Sequence, residues 1–574
     1  MVDSKSRPRS SSPVPAAQPG WRLNQRSRCL RSLRLWLCGL GSLAGMLTAV
    51  SVAALDNSVG ETGIDAYRLH QPPYSLTGRK IGIGQVEVGR PAQIGFDKVA
   101  STNAVIRPDR LFVRNNSAQP NDFVDQHASR VASIMISRDK RRTGVAPNAK
   151  LYSSAIGNDP NSGQPQECLA AQTVAAQNGG DVRAINFSFG ESLSRDPRPK
   201  PVLDGNALLT QCVDWSTRVH NALYVISGNQ GRGGFPIPTD TFNGMTIANS
   251  MAINGRLYNK VDFFSLGSEP TVVIGRDPAD ERNVGPRRSV TLVAPGRAMA
   301  TFKPDGTIAP PDTGGTSFAA PHVTGTVALL QELGDRMIRQ ARQVSNPQSL
   351  PQWTLDARQA EVMKAVLMNS ADKIQDRGDG MLLGMSRTLL NIPNRSWLES
   401  DAYRDPKIPL DAQMGTGHLN AYRAYQQFSP GQWAPSAPVP AIGWDYRRVG
   451  LTPDESPYQD YVLEPQLQGG SFISVTLAWN RLVELQDRNR NQLFDEAESF
   501  VDRGLNNLDI YLMPADATDP GQSVWSSISS VDSVEHIFHQ IPVTGRYKIR
   551  VVFRNPVNEP VQLYALAWWA IPVE

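Results

Sequence analysis

The stretch that decides the fold is Thr313–Leu330, which reads TGGTSFAAPHVTGTVALL. Two glycines and a threonine precede Ser317, and small and apolar residues follow it. This pattern favours a buried helix that begins near the serine, so the hydroxyl would lie at the positive end of the helix dipole. Free N–H groups at such a helix start can bind a developing oxyanion. Ser317 is therefore a candidate nucleophile, although a tightly packed helix start in any α/β protein could have the same composition.

Strand-like and helix-like runs alternate on both sides of this stretch, which predicts an α/β fold with a parallel sheet flanked by helices. The predicted strands are Ile81–Val88, Lys150–Ile156, Arg183–Phe189, Leu223–Ser227 and shorter ones near 244–253, 262–266 and 289–294. The predicted helices are Asp125–Ile136, 166–178, 205–221, the helix opened by Ser317, and Glu361–Asp372.

The pattern changes after Pro430–Pro440 (PGQWAPSAPVP), whose composition is that of a linker. Short alternating segments separated by turns follow, and they predict an antiparallel β-sandwich or jelly roll. These segments are Phe472–Trp479, Asn507–Met513, Ser523–Ser529, His536–Ile541, Gly545–Phe553 and Tyr564–Ile571. The expected organisation is a leader at 1–54, a short segment at 55–74, a catalytic domain at 75–428, a linker at 429–442 and the sandwich at 443–574.

The N-terminal 54 residues have the composition of a targeting segment. Residues 1–34 hold eight Lys or Arg and one acidic residue, and 35–55 carry no charge. A basic stretch, an apolar run and small residues near Ala53-Ala54 are typical of a secretory signal, with an uncleaved membrane anchor as the alternative. We expect a secreted or periplasmic protein that meets a membrane only if the leader is retained.

Charge and cysteine content constrain the remaining chain. Without residues 1–34 it has 50 basic and 53 acidic residues, so nothing suggests a nucleic-acid partner. Cys168 and Cys212 both lie on predicted helices just before strands. An exported protein could join them in a disulfide, but two separately buried thiols are equally compatible with the sequence. We expect a monomer.

Two further residues could complete a serine-dependent site. Acyl transfer by a serine needs a base within hydrogen-bonding reach, a group that orients the base, and donors for the oxyanion. His127 begins a helix of small residues (HASRVAS, 127–133), so its ring can project into a cleft. Asn229 directly follows the strand Leu223–Ser227 and Gly228, a position where an asparagine is ordinarily a turn residue; only a family resemblance gives it a further role.

Several segments together resemble the subtilisin-like serine proteases (subtilases). The nucleophile segment GTSFAAPHVTG is accompanied by VISGNQG (225–231), INFSFG (185–190), GVAPNAKLY (144–152) and VAPG (293–296). The resemblance covers about 75–428. The β-sandwich also resembles a domain that follows the protease domain in some secreted bacterial subtilases.

The resemblance implies a role for each matching residue. Ser317 would be the nucleophile, His127 the base, and Asn229 would hold the oxyanion together with the Ser317 N–H. Backbone pairing with an extended protein or peptide substrate would involve Ser188, Phe189, Gly190 and Gly228. The acid–base–serine order along the chain is that of subtilisin. The chemistry would require no cofactor.

Two departures from the family pattern concern the base and the acid. The family usually has HGTHVAG, whereas this chain has HASRVAS and so carries Arg130 in place of a second histidine. The family's acid is an Asp followed by Thr or Ser and Gly, whereas here Glu87 ends the strand. Either carboxylate can accept a bond from a histidine N–H. Alternatively, Glu87 is only a strand-end carboxylate and the site is impaired. The other nearby carboxylates, none of which follows a buried strand, are Asp97, Asp122 and Asp125.

A charged loop at 487–498 (DRNRNQLFDEAE) has the oxygen spacing of an EF-hand calcium loop. The candidate ligands of a structural calcium are Asp487, Asn489, Asn491, Asp495 and Glu498. Gln492 stands where that motif expects glycine, and two arginines dilute the negative charge. The alternative is a solvated loop between strands.

The sequence therefore predicts an exported serine endopeptidase with a Glu-His-Ser triad. The alternative from another class is a catalytically impaired binding protein on the same scaffold, against which the retention of Ser317, His127 and Asn229 argues. A lipase or esterase is disfavoured because no Gly-x-Ser-x-Gly surrounds Ser317.

Overall fold

The computed structural model describes residues 55–157, 163–230, 235–253, 257–266, 285–311, 314–343 and 350–573. The predicted leader lies outside the described residues. The helices are α1 (Leu55–Val59), α2 (Tyr67–His70), α3 (Gln126–Ile136), α4 (Gln164–Ala175), α5 (Gln177–Gly180), α6 (Leu208–His220), α7 (Thr316–Ala341), α8 (Ala360–Asn369), α9 (Asp401–Arg404) and α10 (Ala421–Phe428).

The first nine strands form one sheet in the order β3-β2-β4-β1-β5-β6-β7-β8, with β9 also pairing with β7. All pairs are parallel except β2–β3 and β7–β8. The strands are β1 (Gly82–Glu87), β2 (Arg110–Val113), β3 (Asn116–Ser117), β4 (Lys150–Ala155), β5 (Val182–Phe187), β6 (Leu223–Ser227), β7 (Met245–Ala252), β8 (Tyr258–Phe263) and β9 (Val290–Pro295).

Helices cover both faces of this sheet, which explains why its central strands are buried along their whole length. On one face, apolar residues of α3 and α7 join the largest core cluster. On the other face, α4 and α6 pack over β1, β5 and β6 in a second cluster. Strands buried on both faces read as continuous apolar runs, which is why the sequence located them well. The predicted α/β fold class is confirmed.

Two four-stranded antiparallel sheets follow, in the orders β10-β19-β12-β17 and β11-β18-β15-β16, with a separate hairpin β13–β14. Their strands are β10 (Ile442–Gly450), β11 (Tyr458–Val462), β12 (Phe472–Trp479), β13 (Leu482–Leu485), β14 (Phe500–Gly504), β15 (Asn507–Pro514), β16 (Trp525–Ser527), β17 (Val534–Gln540), β18 (Tyr547–Asn555) and β19 (Val561–Trp569). The sequence-based assignment omitted β10, β11, β13 and β14.

The sandwich and the α/β part share a core. Trp444 of β10 stacks on Phe428 of α10 with ring centroids 5.3 Å apart. The Asn369 side chain at the end of α8 accepts hydrogen bonds from Ser474 and Thr476 of β12 at 2.9 and 3.0 Å. Apolar residues of β10, β12, β17 and β19 belong to the same cluster as those of α7 and α8. The two parts are therefore packed as one body.

The segment that precedes β1 also packs into this core. Leu55, Val59 and Leu69 are fully buried with the residues of α7. His322 on α7 is completely buried, and its Nε2 lies 3.0 Å from the hydroxyl of Ser58. Burial lowers the pKa of His322 to about 4, so the ring is neutral and acts in packing. In the described part of the chain, no helix has the length and apolar character needed to span a membrane.

Cys168 and Cys212 form a disulfide between α4 and α6, with Cα atoms 5.9 Å apart. Both residues are fully buried beneath the β13–β14 hairpin, where they contact Phe494 and Phe500. Of the two possibilities that the sequence left open, the structure contains the bonded one.

Replacing both cysteines by alanine should destabilise the protein by about 4 kcal/mol, because the bond closes a loop of 44 residues in the unfolded chain. Chemical denaturation of the double variant beside the oxidised parent measures this difference. The single variant Cys168→Ala should lose nearly as much. Equal midpoints for parent and double variant would contradict the stabilising role of the disulfide.

Candidate active site

The candidate nucleophile lies at the start of α7, where the chain leaves a narrow turn. Gly315 donates its N–H to Gly296 O at 2.8 Å, and the Thr316 hydroxyl donates to Gly228 O at 2.6 Å. The Thr316 N–H donates to the side-chain oxygen of Gln230 at 2.7 Å. The first N–H groups of a helix have no acceptor within it. The turn therefore presents Ser317 with its own N–H available at the helix start.

His127 lies on the first turn of α3, which begins where Asp125 accepts the Ala128 N–H at 2.8 Å. Its Nε2 is 2.9 Å from Ser317 Oγ, and its Nδ1 is 3.2 Å from Glu87 Oε2. The ring is 40 % exposed while the Glu87 side chain is 2 % exposed. One imidazole thus contacts a hydroxyl on its open side and a buried carboxylate on the other.

Glu87 is held by the sheet itself. It is the last residue of β1 and pairs with Ala155 of β4, and its backbone carbonyl accepts the Ile156 N–H at 2.9 Å. The other carboxylates that the sequence offered have different partners. Asp97 forms a buried pair with Arg90 at 2.8 Å, and Asp125 caps α3. Glu87 is accordingly the carboxylate hydrogen-bonded to the histidine ring.

The electrostatics of the pair favour a proton on the histidine. Burial raises the pKa of Glu87 above its ordinary value, although the charge and hydrogen bond of His127 oppose this. For His127, burial is the largest single effect and disfavours the charged ring. The Glu87 charge and hydrogen bond, with a smaller effect of Asp125, outweigh it, so the pKa of His127 lies above its ordinary 6.5.

Asn229 follows β6 and Gly228, and only 5 % of its surface is exposed. Its side-chain amide donates to Leu266 O at 2.7 Å. Its backbone N–H donates to the Ser265 hydroxyl at 3.2 Å. These bonds hold Asn229 in place at the end of β6.

The predicted substrate segment continues β5 beyond its last paired residue, Phe187. The Ser188 hydroxyl donates to Ser317 O at 2.8 Å, which ties this segment to the nucleophile turn. A Cβ on Gly190 would lie 2.1 Å from Phe235 O, so only glycine fits there. The Phe189 ring is buried against Phe187 and leaves only its backbone for an extended ligand.

Gly228 is packed against the nucleophile turn. It is buried, and a Cβ on it would lie 2.4 Å from Phe264 O. Its carbonyl accepts the Thr316 hydroxyl. Ser188 and Gly228 thus both contact the nucleophile turn, through Ser317 O and the Thr316 hydroxyl. Substrate contact by Ser188, Phe189, Gly190 and Gly228 stays a prediction.

Three residues near the site were not assigned a role from sequence. Gln230 fastens the nucleophile turn, and Phe318 packs its ring 5.5 Å from the His127 ring. Arg130 places its guanidinium 4.7 Å from the centre of the Phe318 ring. The only sequence signal for Arg130 was the departure from the family's histidine at that position.

The predicted calcium ligands lie on the loop between β13 and β14. The Asp487 carboxylate accepts the N–H groups of Asn491 and Gln492 at 3.2 and 2.7 Å. The side-chain amide nitrogens of Asn489 and Asn491 both donate to Asp495, at 2.6 and 3.0 Å. Glu498 accepts the Arg488 and Asp495 N–H groups at 2.7 and 3.1 Å. Among the described residues, no group of three or more His, Cys, Asp or Glu could hold a metal ion. Calcium binding at this loop stays a prediction.

The family assignment follows from a sequence comparison. The model of the subtilase family matches residues 48–386, which is more than half of the chain. The protein belongs to the subtilase family. The family's acid is aspartate, so Glu87 remains a departure from its pattern.

Individual relatives are distant and match in part. Alkaline elastase YaB of Bacillus sp. (strain YaB) is 27% identical over 189 residues, which is 33% of this chain and 40% of the relative. Subtilisin DY of Bacillus licheniformis is 26% identical over 212 residues, covering 36% of this chain and 62% of the relative. The chain therefore spans less than two thirds of the length of these relatives. Among solved structures, a cold adapted subtilisin-like serine proteinase is 17% identical to this chain. The match covers 45% of this chain and 77% of the proteinase, with a TM-score of 0.31.

Proposed function

We propose that this subtilase is a serine endopeptidase that cleaves peptide bonds through an acyl-enzyme. The observation that carries the proposal is the unbroken hydrogen-bonded chain from Glu87 through His127 to Ser317, with contacts of 3.2 and 2.9 Å. This arrangement matches the requirements for serine-dependent acyl transfer: a nucleophile, a base in reach and a group that orients the base.

The reaction would proceed in two halves. Ser317 Oγ attacks the carbonyl carbon of the scissile bond while His127 Nε2 takes the hydroxyl proton. The C–N bond then breaks as His127 returns that proton to the leaving amine, which leaves an ester on Ser317. In the second half, a water molecule attacks the ester carbonyl, His127 takes its proton, and the proton returns to Ser317 as the acid product departs.

Glu87 would act through His127. Its carboxylate accepts the Nδ1–H, so Nε2 faces Ser317 as the free acceptor, and its charge stabilises the imidazolium that forms during the attack. The extra methylene relative to aspartate is accommodated in a side chain that is almost fully buried. A glutamate can therefore perform the role that aspartate has in the family.

The oxyanion would be held by the Ser317 N–H and the side-chain amide of Asn229. The bonds of Asn229 to Leu266 and Ser265 fix this amide before substrate binds, which lowers the reorganisation needed during the reaction. An extended peptide would pair with the backbone of 188–190, because this segment lies beyond Phe187, the last residue of β5 that pairs with β1 and β6.

The remaining features of the proposal concern location and partners. We expect export by the leader at 1–54, a protein or peptide substrate, a monomer, and a catalytic unit at 75–428 joined to the sandwich at 443–574. The chemistry described above uses no cofactor. A calcium ion at 487–498 would be structural, because this loop belongs to the sandwich hairpin.

A fluorophosphonate probe tests the proposal directly, because it reacts only with an activated serine. The purified protein should be labelled and should digest casein, whereas Ser317→Ala should do neither. Ser499→Ala, which changes a hydroxyl on the sandwich hairpin, should behave as the parent. If a parent protein shown to be folded is not labelled, the proposed enzymatic activity is contradicted and a binding role is favoured.

A further inference from the structure

Arg130 is a buried charge that the proposed chemistry does not use. It lies one turn after His127 on α3, and only 8 % of it is exposed. Its Nε donates to the Thr301 hydroxyl at 2.8 Å, and Thr301 is fully buried on the segment that leads to the nucleophile turn. A charged side chain is rarely buried without a specific arrangement of partners.

The aromatic ring beside the nucleophile connects Arg130 to the histidine. Phe318 directly follows Ser317 and is 4 % exposed. Its ring lies 4.7 Å from the guanidinium carbon of Arg130 and 5.5 Å, between centroids, from the ring of His127. A guanidinium over an aromatic face is an attractive contact that limits the motion of both groups. Phe318 is thus held on one side while it contacts the imidazole on the other.

Three charged groups and burial determine how easily His127 takes a proton. Glu87, on β1, and Asp125, at the start of α3, are negative and favour the protonated ring, whereas Arg130 is positive and opposes it. Burial also opposes protonation and is the largest effect. Arg130 therefore offsets part of the effect of the two carboxylates, at a distance set by its contacts with Thr301 and Phe318.

We propose that Arg130 is a positioning residue for the histidine: it holds Phe318 against the imidazole ring and places a fixed positive charge beside the Glu87–His127 pair. This inference rests on the proposed function. In the family pattern a second histidine occupies this position, and a neutral imidazole would not supply that charge. Loss of the charge should make the base stay protonated to a higher pH.

The pH dependence of fluorophosphonate labelling tests this inference in the free protein. The labelling rate should rise as His127 loses its proton, with a midpoint above 6.5 because the Glu87 charge holds the proton. Arg130→Met, which keeps an unbranched apolar stem and removes the charge, should move this midpoint up by about half a pH unit. Arg130→Gln should raise the midpoint by the same amount, and it replaces the methionine variant in this test if that variant does not fold.

Two further variants separate charge from packing. Arg130→Lys keeps the charge, so its midpoint should stay with the parent while its plateau rate falls a few-fold as the planar contact with Phe318 is lost. Arg110→Met removes an exposed arginine of β2 and should change neither. Parent-like midpoints in both folded neutral variants would overturn the role of Arg130, whereas a parent that is unlabelled at every pH would overturn the proposed function instead.

Discussion

Ser317→Ala and His127→Ala should each lower kcat for a peptide amide by about 10⁶, and the double variant should be no slower than either single one. The reason is that the hydroxyl and the imidazole act as one unit across a 2.9 Å contact, so removing either abolishes the same nucleophile. Initial rates with a chromogenic peptide amide, measured for the four proteins at one pH above the parent's midpoint, test this.

The residual rate in these variants carries information as well. A site that still binds substrate and holds the oxyanion retains about 10³–10⁴-fold acceleration over water. All three variants should show the same remaining acceleration. Substantial activity in His127→Ala would mean that another base serves Ser317, and effects that multiply in the double variant would mean that the two side chains do not act together.

Glu87→Gln should lower kcat by about 10⁴, because the amide NH₂ can donate to Nδ1 and so favour the tautomer whose Nε2 carries the proton. That tautomer cannot accept the Ser317 proton, and the charge that stabilises the imidazolium is lost as well. The substitution should also move the acid midpoint of the pH profile downward, since the carboxylate charge that raises the pKa of His127 is gone. Measurement of kcat and kcat/KM between acid and neutral pH reports both effects.

Two companion variants make the Glu87 experiment specific. Glu87→Asp restores the acid of the family but shortens the side chain, so it should recover much of the activity lost in the glutamine variant without reaching the parent. Asp125→Asn keeps a helix-capping side chain at the start of α3 and should leave kcat within a few-fold. Near-parental activity in Glu87→Gln would show that Glu87 does not orient the histidine.

Short local motifs predicted the candidate triad and most of the parallel strands, although β2 (Arg110–Val113) was missed. Buried strands such as β6 are continuous apolar runs, and its predicted bounds, Leu223–Ser227, agree with the structure. The small residues around His127 and Ser317 are similarly visible as short motifs. The order of residues along the chain does not show which carboxylate meets the histidine. The structure shows that Glu87, and not Asp125, is hydrogen-bonded to the His127 ring.

Long-range partners account for what the sequence missed. β10 contains Asp445, whose carboxylate interrupts the apolar pattern of the strand. Asp445 is nevertheless fully buried, because it accepts hydrogen bonds from Arg447 and from the Tyr461 hydroxyl, both at 2.8 Å. Gln230 looks like a turn residue because its acceptor role depends on Thr316, 86 positions later. Arg130 was recognised as unusual, but its contacts with Thr301 and Phe318 bring together residues more than 170 positions apart in sequence.

The core shared by α8 and the sandwich sets the smallest unit that can fold. A chain shortened before β12 would remove the Ser474 and Thr476 donors of the Asn369 side chain and leave its oxygen facing water. It would also expose the apolar face that α8 turns toward β12 and β19. A smaller folded unit is therefore not obtained by removing the sandwich; that face of α8 would first have to be redesigned for contact with water.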